Sequence, residues 1–367
     1  MISLRRVSSP TAAIMPRRFP TTGFELIDPA IKIEEETLPY YEEHEYYPMQ
    51  IRNVVDDHYQ VVAKLGYGAT STVWLARDLR KWELTGPCGD HDVFVMPPMA
   101  VTLNALLPGE GRGFRTFFVK KALSQVLLGL EYLHGADVIH TDFYLDNLLV
   151  SVSNQSFMST VEEEELNRPS ARKCANARTV HVSQMLLAKG CAGPLTICDF
   201  GQARIGKTHR GRVMPTRYRA PEVILDMEWG SRVDLWNVGL IAWDLLETHP
   251  LFRIYDEDSE DLNGAHHLAA MTALLGSPPA EFLKRSEKTA IYWDKDGNWK
   301  GPVPLPLDLS FEKVATALSG EEQELFFNFV EMGLWWVPEE RLDALHMYFH
   351  PWLENKRADE TGEGNGT

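Results

Sequence analysis

Apolar residues recur at three- and four-residue spacings between positions 116 and 134. Leu123, Val126, Leu127, Leu130 and Leu133 share one face of a helix there. Positions 233–246 are apolar nearly all round, which predicts a helix enclosed in a large core. Two more helices are expected at 266–275 and 321–332. Upstream the pattern changes. Residues 59–65 and 72–77 are β-branched and apolar and flank Gly66-Tyr67-Gly68, which predicts a hairpin with a glycine-rich connection. A short strand is expected at 93–96, stopped by Pro97 and Pro98. Residues 151–195 show no clear period, carry Glu162, Glu163, Glu164 and Glu165 in succession, and read as an inserted loop. The chain therefore reads as a small β-rich part followed by a larger, mostly helical one.

Composition narrows the class. With 367 residues and 44% hydrophobic content the chain can bury a large core. No run approaches the roughly 18 apolar residues that a membrane helix needs, so no membrane association is expected. A net charge of −16 argues against direct nucleic-acid binding, which requires a basic footprint. It suits either a basic protein partner or an ordinary acidic surface. Cys88, Cys174, Cys191 and Cys198 form no C-x-x-C pair, and reduced thiols are expected. The first 24 residues hold Arg5, Arg6, Arg17 and Arg18 and no acid. They read as a disordered basic tail or as a mitochondrial transit peptide, although Pro10 and Pro16 interrupt the amphipathic helix of the latter.

Four motifs carry chemistry. In Leu65-Gly66-Tyr67-Gly68-Ala69-Thr70-Ser71-Thr72-Val73 the glycines allow backbone N–H groups to approach phosphate oxygens, though a plain hairpin turn has the same look. His140-Thr141-Asp142-Phe143-Tyr144-Leu145-Asp146-Asn147 places an aspartate and an asparagine five residues apart on one loop. Asp142 can accept the proton of an attacking hydroxyl, and Asn147 can offer an amide oxygen to Mg²⁺. Asp199-Phe200-Gly201 follows an apolar strand, and its carboxylate suits the same hard ion. Tyr218-Arg219-Ala220-Pro221-Glu222 precedes Asp234-Leu235-Trp236-Asn237-Val238-Gly239, and Arg341 lies far downstream as a candidate buried partner of Glu222. Alone, the glycine turn and Asp199-Phe200-Gly201 are weak evidence and the parts of the last set read as helix punctuation; the His140–Asn147 loop is the specific one. The ordered set is the protein-kinase signature.

On these residues the chain resembles eukaryotic protein kinases over residues 46–355. The resemblance implies an α+β, two-lobed protein-kinase-like fold with a small, incomplete β-rich N-lobe and a large helical C-lobe. Residues 1–45 would be disordered or extended, 46–99 the N-lobe and hinge, 100–355 the C-lobe with an insert at 151–195, and 356–367 a disordered tail. Ser71 in place of a third glycine, the His140-Thr141-Asp142 triplet, Leu274-Leu275-Gly276-Ser277-Pro278 and the insert itself look like the SR-protein kinases, especially their shorter fungal relatives. That family transfers phosphate from ATP to serines of Arg-Ser-rich proteins. ATP and Mg²⁺ are the implied cofactors, Asp142 the base, and Asn147 and Asp199 the metal ligands. Leu65, Gly66, Tyr67, Gly68, Ser71 and Val73 would surround the nucleotide. At the hinge, Pro97 would offer a carbonyl and Met99 an N–H to adenine. A monomer in cytoplasm and nucleus is implied, with mitochondria as the alternative. Thr141 stands where an arginine usually clamps an activation-segment phosphate, which implies independence from that clamp.

Three departures bear on catalysis. Only residues 83–95 lie between Trp82 and the gatekeeper position Met96. Three strands and a helix belong there and need roughly 28 residues. A block carrying the ATP-anchoring lysine and its glutamate partner is therefore missing between Trp82 and Glu83. Nearby Lys64 and Lys81 are expected to be solvated. Tyr144 replaces a lysine that steadies the transferred phosphate, and Pro215 stands where a threonine normally meets the catalytic aspartate. Three readings stay open: an active serine/threonine kinase, a catalytically dead kinase-like module that docks basic partners through acidic residues 256–261, and an active kinase whose translated sequence has lost a segment.

Overall fold

The computed structural model describes residues 16–55, 59–69, 71–78, 96–97, 99–108, 113–152, 155–175, 178–184, 193–253, 255–256 and 259–354. Lys81, the junction of Trp82 with Glu83, most of the strand expected at 93–96, Pro98, Cys88, Cys191, Arg5, Arg6 and the tail from residue 355 lie outside the described residues. In chain order the strands and longer helices are β1 (Val54–Val55), β2 (Tyr59–Tyr67), β3 (Thr72–Asp78), β4 (Met99–Thr102), α1 (Thr116–Gly135), β5 (Val138–Ile139), β6 (Leu148–Ser151), α2 (Gln155–Asn167), β7 (Arg172–Ala175), β8 (Arg178–His181), β9 (Leu195–Ile197) and β10 (Arg204–Ile205). Then come α3 (Pro221–Ile224), α4 (Arg232–Leu246), α5 (Glu260–Leu275), the single turns α6 (Ala280–Leu283), α7 (Thr289–Tyr292) and α8 (Phe311–Val314), α9 (Gly320–Gly333), α10 (Ala344–Tyr348) and α11 (Pro351–Glu354). This is the α+β content expected. Among the described residues no helix is long and apolar enough to cross a membrane.

Two compact units emerge. One comprises Met1–Ala100 with Ser151–Gly193, the other Val101–Val150 with Pro194–Thr367. The insert thus groups with the first unit, not with the helical part to which the sequence reading assigned it.

The first unit is built on the antiparallel sheet β1-β2-β3. Tyr59 pairs with Asp78 and Tyr67 with Thr72, with irregularities beside Val61 and Lys64. Three strands cannot cover their own apolar face. Phe19 and Ile51 from the N-terminal segment and Val161 from α2 close it, packing with Val62, Ala63 and Leu75. The described part of the segment read as disordered or extended is therefore bound structure. Leu26 bridges Arg172 in parallel, and the Arg172 guanidinium lies 3.7 Å from the Phe24 ring centroid. Nor is the insert featureless. Its acidic run lies on α2, where Glu162 and Glu165 are buried and Glu163 and Glu164 exposed. The three-residue spacing puts the buried pair on the Val161 face. Arg77 meets Glu162 at 2.7 Å, and Glu165 accepts from the backbone N–H of Ser170 and the amide of Gln184.

Lys64 corrects a second expectation. It is fully buried, not solvated. Its ammonium is bonded to Glu35 and lies 3.4 Å from Glu34. Neighbouring Glu36 takes Lys173 at 2.8 Å, and Glu34 accepts the backbone N–H of Ser183 at 3.0 Å. Three successive glutamates of one 3₁₀ turn, Glu34–Thr37, thus reach both the hairpin and the insert.

The second unit is organised around α4, whose residues from Val233 to Leu246 are all buried. It packs on α9 at two facing glycines. A side chain at Gly239 would meet Leu334 at 3.2 Å, and one at Gly333 would meet the Leu235 carbonyl at 3.2 Å. Below it, Arg341 and Glu222 form the expected pair, with two hydrogen bonds of 2.6 and 2.7 Å and almost no exposure. Arg341 also donates to the Trp335 carbonyl at 2.7 Å and lies over the Trp236 ring. Its donors are well satisfied, which a buried cation requires.

Removing one partner of either buried pair strands a carboxylate. Arg341→Ala and Lys64→Ala should each cost about 3–5 kcal/mol in urea unfolding. A Lys64→Ala loss below about 1 kcal/mol would restore the solvated reading. Acid should also weaken the fold. His267 is buried between Phe252 and Tyr255 and donates Nε2–H to the Arg253 carbonyl at 2.8 Å. Burial pushes its pKa down to about 4. The unfolded imidazole binds its proton near pH 6.5 and the folded one does not. Stability therefore falls as pH drops from about 6.5 toward 4, by up to roughly 3 kcal/mol for this group. His267→Gln should flatten that part of the melting-temperature profile.

Candidate active site

The catalytic loop candidate starts where α1 and the short β5 end. Thr141 sits in the left-handed region at φ 65°, an unfavourable conformation for a β-branched residue. Asp234 on the first turn of α4 holds it there. The carboxylate is fully buried and accepts the backbone N–H groups of His140 and Thr141, each at 2.9 Å, while His134 Nε2 lies 2.9 Å away. Asn237, one turn on, donates to the Phe143 carbonyl at 2.8 Å. His140 Nε2 donates to the Cys198 carbonyl at 2.9 Å, and its ring packs on Phe143 and Phe200. Thr141 Oγ1 donates to the Gln202 carbonyl at 2.8 Å. Where an arginine would offer charge, a neutral hydrogen bond joins the two loops.

Strand register brings the remaining members together. Leu148 pairs with Ile197 and Val150 with Leu195, so Asn147 and Asp199 leave the same end of the β6–β9 ladder. The Cys198 N–H donates to the Asn147 carbonyl at 2.9 Å. The Asn147 amide nitrogen donates to the Asp142 carbonyl at 2.8 Å and to its carboxylate at 3.2 Å. That leaves the Asn147 side-chain oxygen for a cation. Asp199, at φ 63° and exposed, accepts the Gly201 N–H with one oxygen at 3.1 Å and keeps the other free of that bond. Two oxygen donors of this kind fit a hard ion such as Mg²⁺. Burial raises the Asp142 pKa, opposed by the Asn147 hydrogen bond and reinforced by Asp199. Burial and the three surrounding carboxylates Asp142, Asp146 and Asp199 likewise raise the Tyr144 phenol, which stays neutral at physiological pH.

Asp142 and Tyr144 open into a cleft of about 390 Å³ that Arg212, Met214, Pro215 and Arg219 also line. Pro215 precedes the turn Thr216–Tyr218, and the Tyr144 ring packs 5.8 Å from that of Tyr218. Tyr218 is in turn held by Asp244 at 2.6 Å.

The other expected residues belong to the first unit. Gly66 and Gly68 have open space where a side chain would begin, and the Gly68 N–H donates to the Ser71 carbonyl at 2.8 Å. Tyr67 and Val73 are exposed and Leu65 half-buried. The buried Tyr46 hydroxyl anchors the turn through the carbonyls of Gly68 and Ala69 at 3.0 and 2.6 Å. Pro97 is exposed, and Met99 opens β4. Asp142, Asn147 and Asp199 therefore meet within one unit, and Leu65, Gly66, Tyr67, Gly68, Ser71, Val73, Pro97 and Met99 fall in the other. Sequence reasoning missed the roles of Asp234, Asn237 and Tyr46. Asp234 and Asn237 stood in the motif as fold markers, and nothing local ties Tyr46 to the glycine turn 22 residues away.

The family model described as "Protein kinase domain" matches residues 88–353. The chain belongs to the protein kinase family. A serine/threonine protein kinase of Aspergillus fumigatus is 37% identical over 394 residues, covering 92% of this chain and 95% of that protein. Those 394 aligned positions exceed the 367 residues of this kinase, so the relative has positions without a counterpart here. The serine/threonine-protein kinase SRPK of Physarum polycephalum is 26% identical, covering 87% of this chain and 91% of that one. A crystal structure described as a kinase domain superposes with a TM-score of 0.60 at 18% identity, covering 85% of this chain and all of its own, and so supports the kinase fold.

Asp234→Asn should loosen the kinase loop without unfolding the unit. The amide would point a donor at one of two N–H groups. Exchange of the His140 and Thr141 amide hydrogens should accelerate about tenfold or more, read by NMR or mass spectrometry. Unchanged protection would mean that Asp234 does not hold the loop.

Proposed function

We propose that this kinase transfers the γ-phosphoryl group of ATP to serine hydroxyls, with Asp142 as the base. The observation that carries the reading is the Asn147 side chain. Its amide nitrogen holds the Asp142 carbonyl and carboxylate in place, which leaves its oxygen as the atom it can offer to a cation. Mg²⁺ held by Asn147 and Asp199 would supply charge neutralisation at the phosphates. Asp142 accepts the proton of the acceptor hydroxyl and, through the backbone bonds around it, presents that hydroxyl from the cleft side. Tyr144 gives a neutral hydroxyl there, so it can donate a hydrogen bond but no charge. Likeness to SRPK supports Arg-Ser-rich proteins as the substrate class.

A second reading has its own support. Tyr144 and Pro215 replace the expected lysine and threonine, and the described lysine nearest the glycine turn, Lys64, is already paired with Glu34 and Glu35. A kinase-like binding module fits those facts.

Transfer of labelled phosphate to an Arg-Ser peptide decides between them. Asp142→Asn should lower the rate by about 10²-fold or more. The ionised carboxylate is the active form and its pKa is raised, so the rate should be lost on acidification at a higher pH than an ordinary aspartate would impose. Wild-type transfer no faster than that of Asp142→Asn would overturn the enzymatic reading and leave the binding module.

A further inference from the structure

Tyr46 lies 22 residues before Gly68 and belongs to none of the four sequence motifs. It is 3% exposed, it follows the 3₁₀ turn Glu43–Glu45, and its ring centroid lies 5.3 Å from that of Tyr41. A phenol enclosed by protein needs a partner for its hydroxyl. Tyr46 shares its one proton between the Ala69 carbonyl at 2.6 Å and the Gly68 carbonyl at 3.0 Å. The Gly68 N–H closes the turn on the Ser71 carbonyl at 2.8 Å. The same N-terminal segment also holds the hairpin four residues earlier, where Glu35 is bonded to Lys64. It therefore grips the glycine turn at its base and at its tip.

The grip has a geometric consequence. A trans peptide is planar, so a carbonyl and the N–H that follows it point to opposite sides. Fixing the Gly68 carbonyl toward Tyr46 turns the Ala69 N–H away from the N-terminal segment. Ala69 is exposed, and Gly66 and Gly68 have open space where side chains would begin. A phosphate oxygen can approach a backbone donor set among such glycines. We infer that Tyr46 is a positioning residue for the polyphosphate of the nucleotide, acting through the Gly68 and Ala69 carbonyls to aim the N–H groups of the turn at a phosphate. It works from the opposite side of the turn, without touching the phosphates. The inference rests on the proposed use of ATP and deepens it. Affinity for the phosphates, and not for the adenosine part, depends on one buried hydroxyl outside the signature.

Affinities of the full chain for ATP and for adenosine, each with Mg²⁺ and read by calorimetry, test it. Adenosine shares the base and ribose of ATP and lacks the phosphates. Tyr46→Phe keeps the ring in the core and removes the hydroxyl alone. ATP should bind this variant about fivefold more weakly, the effect of one neutral hydrogen bond, while adenosine binds as before. Tyr40→Phe, at a tyrosine 92% exposed in the same segment, should change neither affinity. Unchanged ATP affinity in Tyr46→Phe overturns the inference. So does an equal loss for both ligands, which is what a merely structural tyrosine would give. Should urea unfolding show that Tyr46→Phe does not fold, the wild type decides by NMR. ATP should shift the Ala69 amide resonance and adenosine should not, and an amide indifferent to ATP overturns the inference. Failure of the phosphotransfer reading shows separately, as this ATP discrimination with no Asp142-dependent transfer. A wild type that binds no ATP overturns both.

Discussion

One carboxylate sets the geometry of the catalytic loop. Asp234 is fully buried at the start of α4, and a charge there is tolerable only if its oxygens are well satisfied. The backbone N–H groups of His140 and Thr141 do this, together with His134. The bonds act in both directions. They settle the charge, and they hold Thr141 in a conformation that a β-branched residue does not adopt by itself. That backbone turn aims Asp142 outward while Phe143 points into the core. Because α4 is buried along its length and pressed against α9 at Gly239 and Gly333, the anchor is as rigid as the core. The site inherits its precision from the packing of α4.

The first unit solves a different problem. A hairpin of two long strands and one short one has too little area to enclose a core of its own. The N-terminal segment and the insert supply the cover, and charges determine which segments come together. Glu34, Glu35 and Glu36 reach Ser183, Lys64 and Lys173, while Glu162 reaches Arg77. Buried ion pairs contribute little net stability after desolvation. What they provide here is register, because each acid has a partner in only one arrangement. The acidic N-terminal stretch and the acidic α2 thus each meet separate basic partners, Lys64 and Arg77 on the hairpin and Lys173 on β7.

How much of this was readable beforehand follows from where the determinants lie. The helices at 116–135, 232–246 and 320–333 and the two strands of the hairpin were legible because their signals are local apolar periods. The loop around Asp142 and the Asn147–Asp199 pairing were legible as motifs, since a strand register brings them together over a short ladder. Helix α5 begins six residues before its apolar signal, at the Ser259 cap that accepts the Leu262 N–H. The insert was opaque for a physical reason. Two of the inward positions of α2 are glutamates, so a hydrophobic period cannot reveal its buried face. Lys64 was misjudged in the same way, because its partner lies 29 residues upstream in a stretch without regular pattern.

The burial of Lys64 also bears on catalysis. A lysine serves a phosphate only where its ammonium is accessible to the nucleotide, and the Lys64 side chain is fully buried. Lys64 is already compensated by Glu34 and Glu35, and withdrawing it would leave Glu35, almost wholly buried, with an unpaired charge. Its position is therefore structural. Thr141 and Tyr144 remove two further cations from the reaction side of the loop. The arginines that remain beside Asp142 belong to the acceptor wall, where Arg219 is committed to backbone carbonyls and Arg212 is exposed to solvent. Phosphoryl transfer depends on positioning and on fixed charge near the transferred group. The described residues hold Asp142, Asn147 and Asp199 together and supply little positive charge beside them, so membership of the family and catalytic strength are separate properties of the same fold.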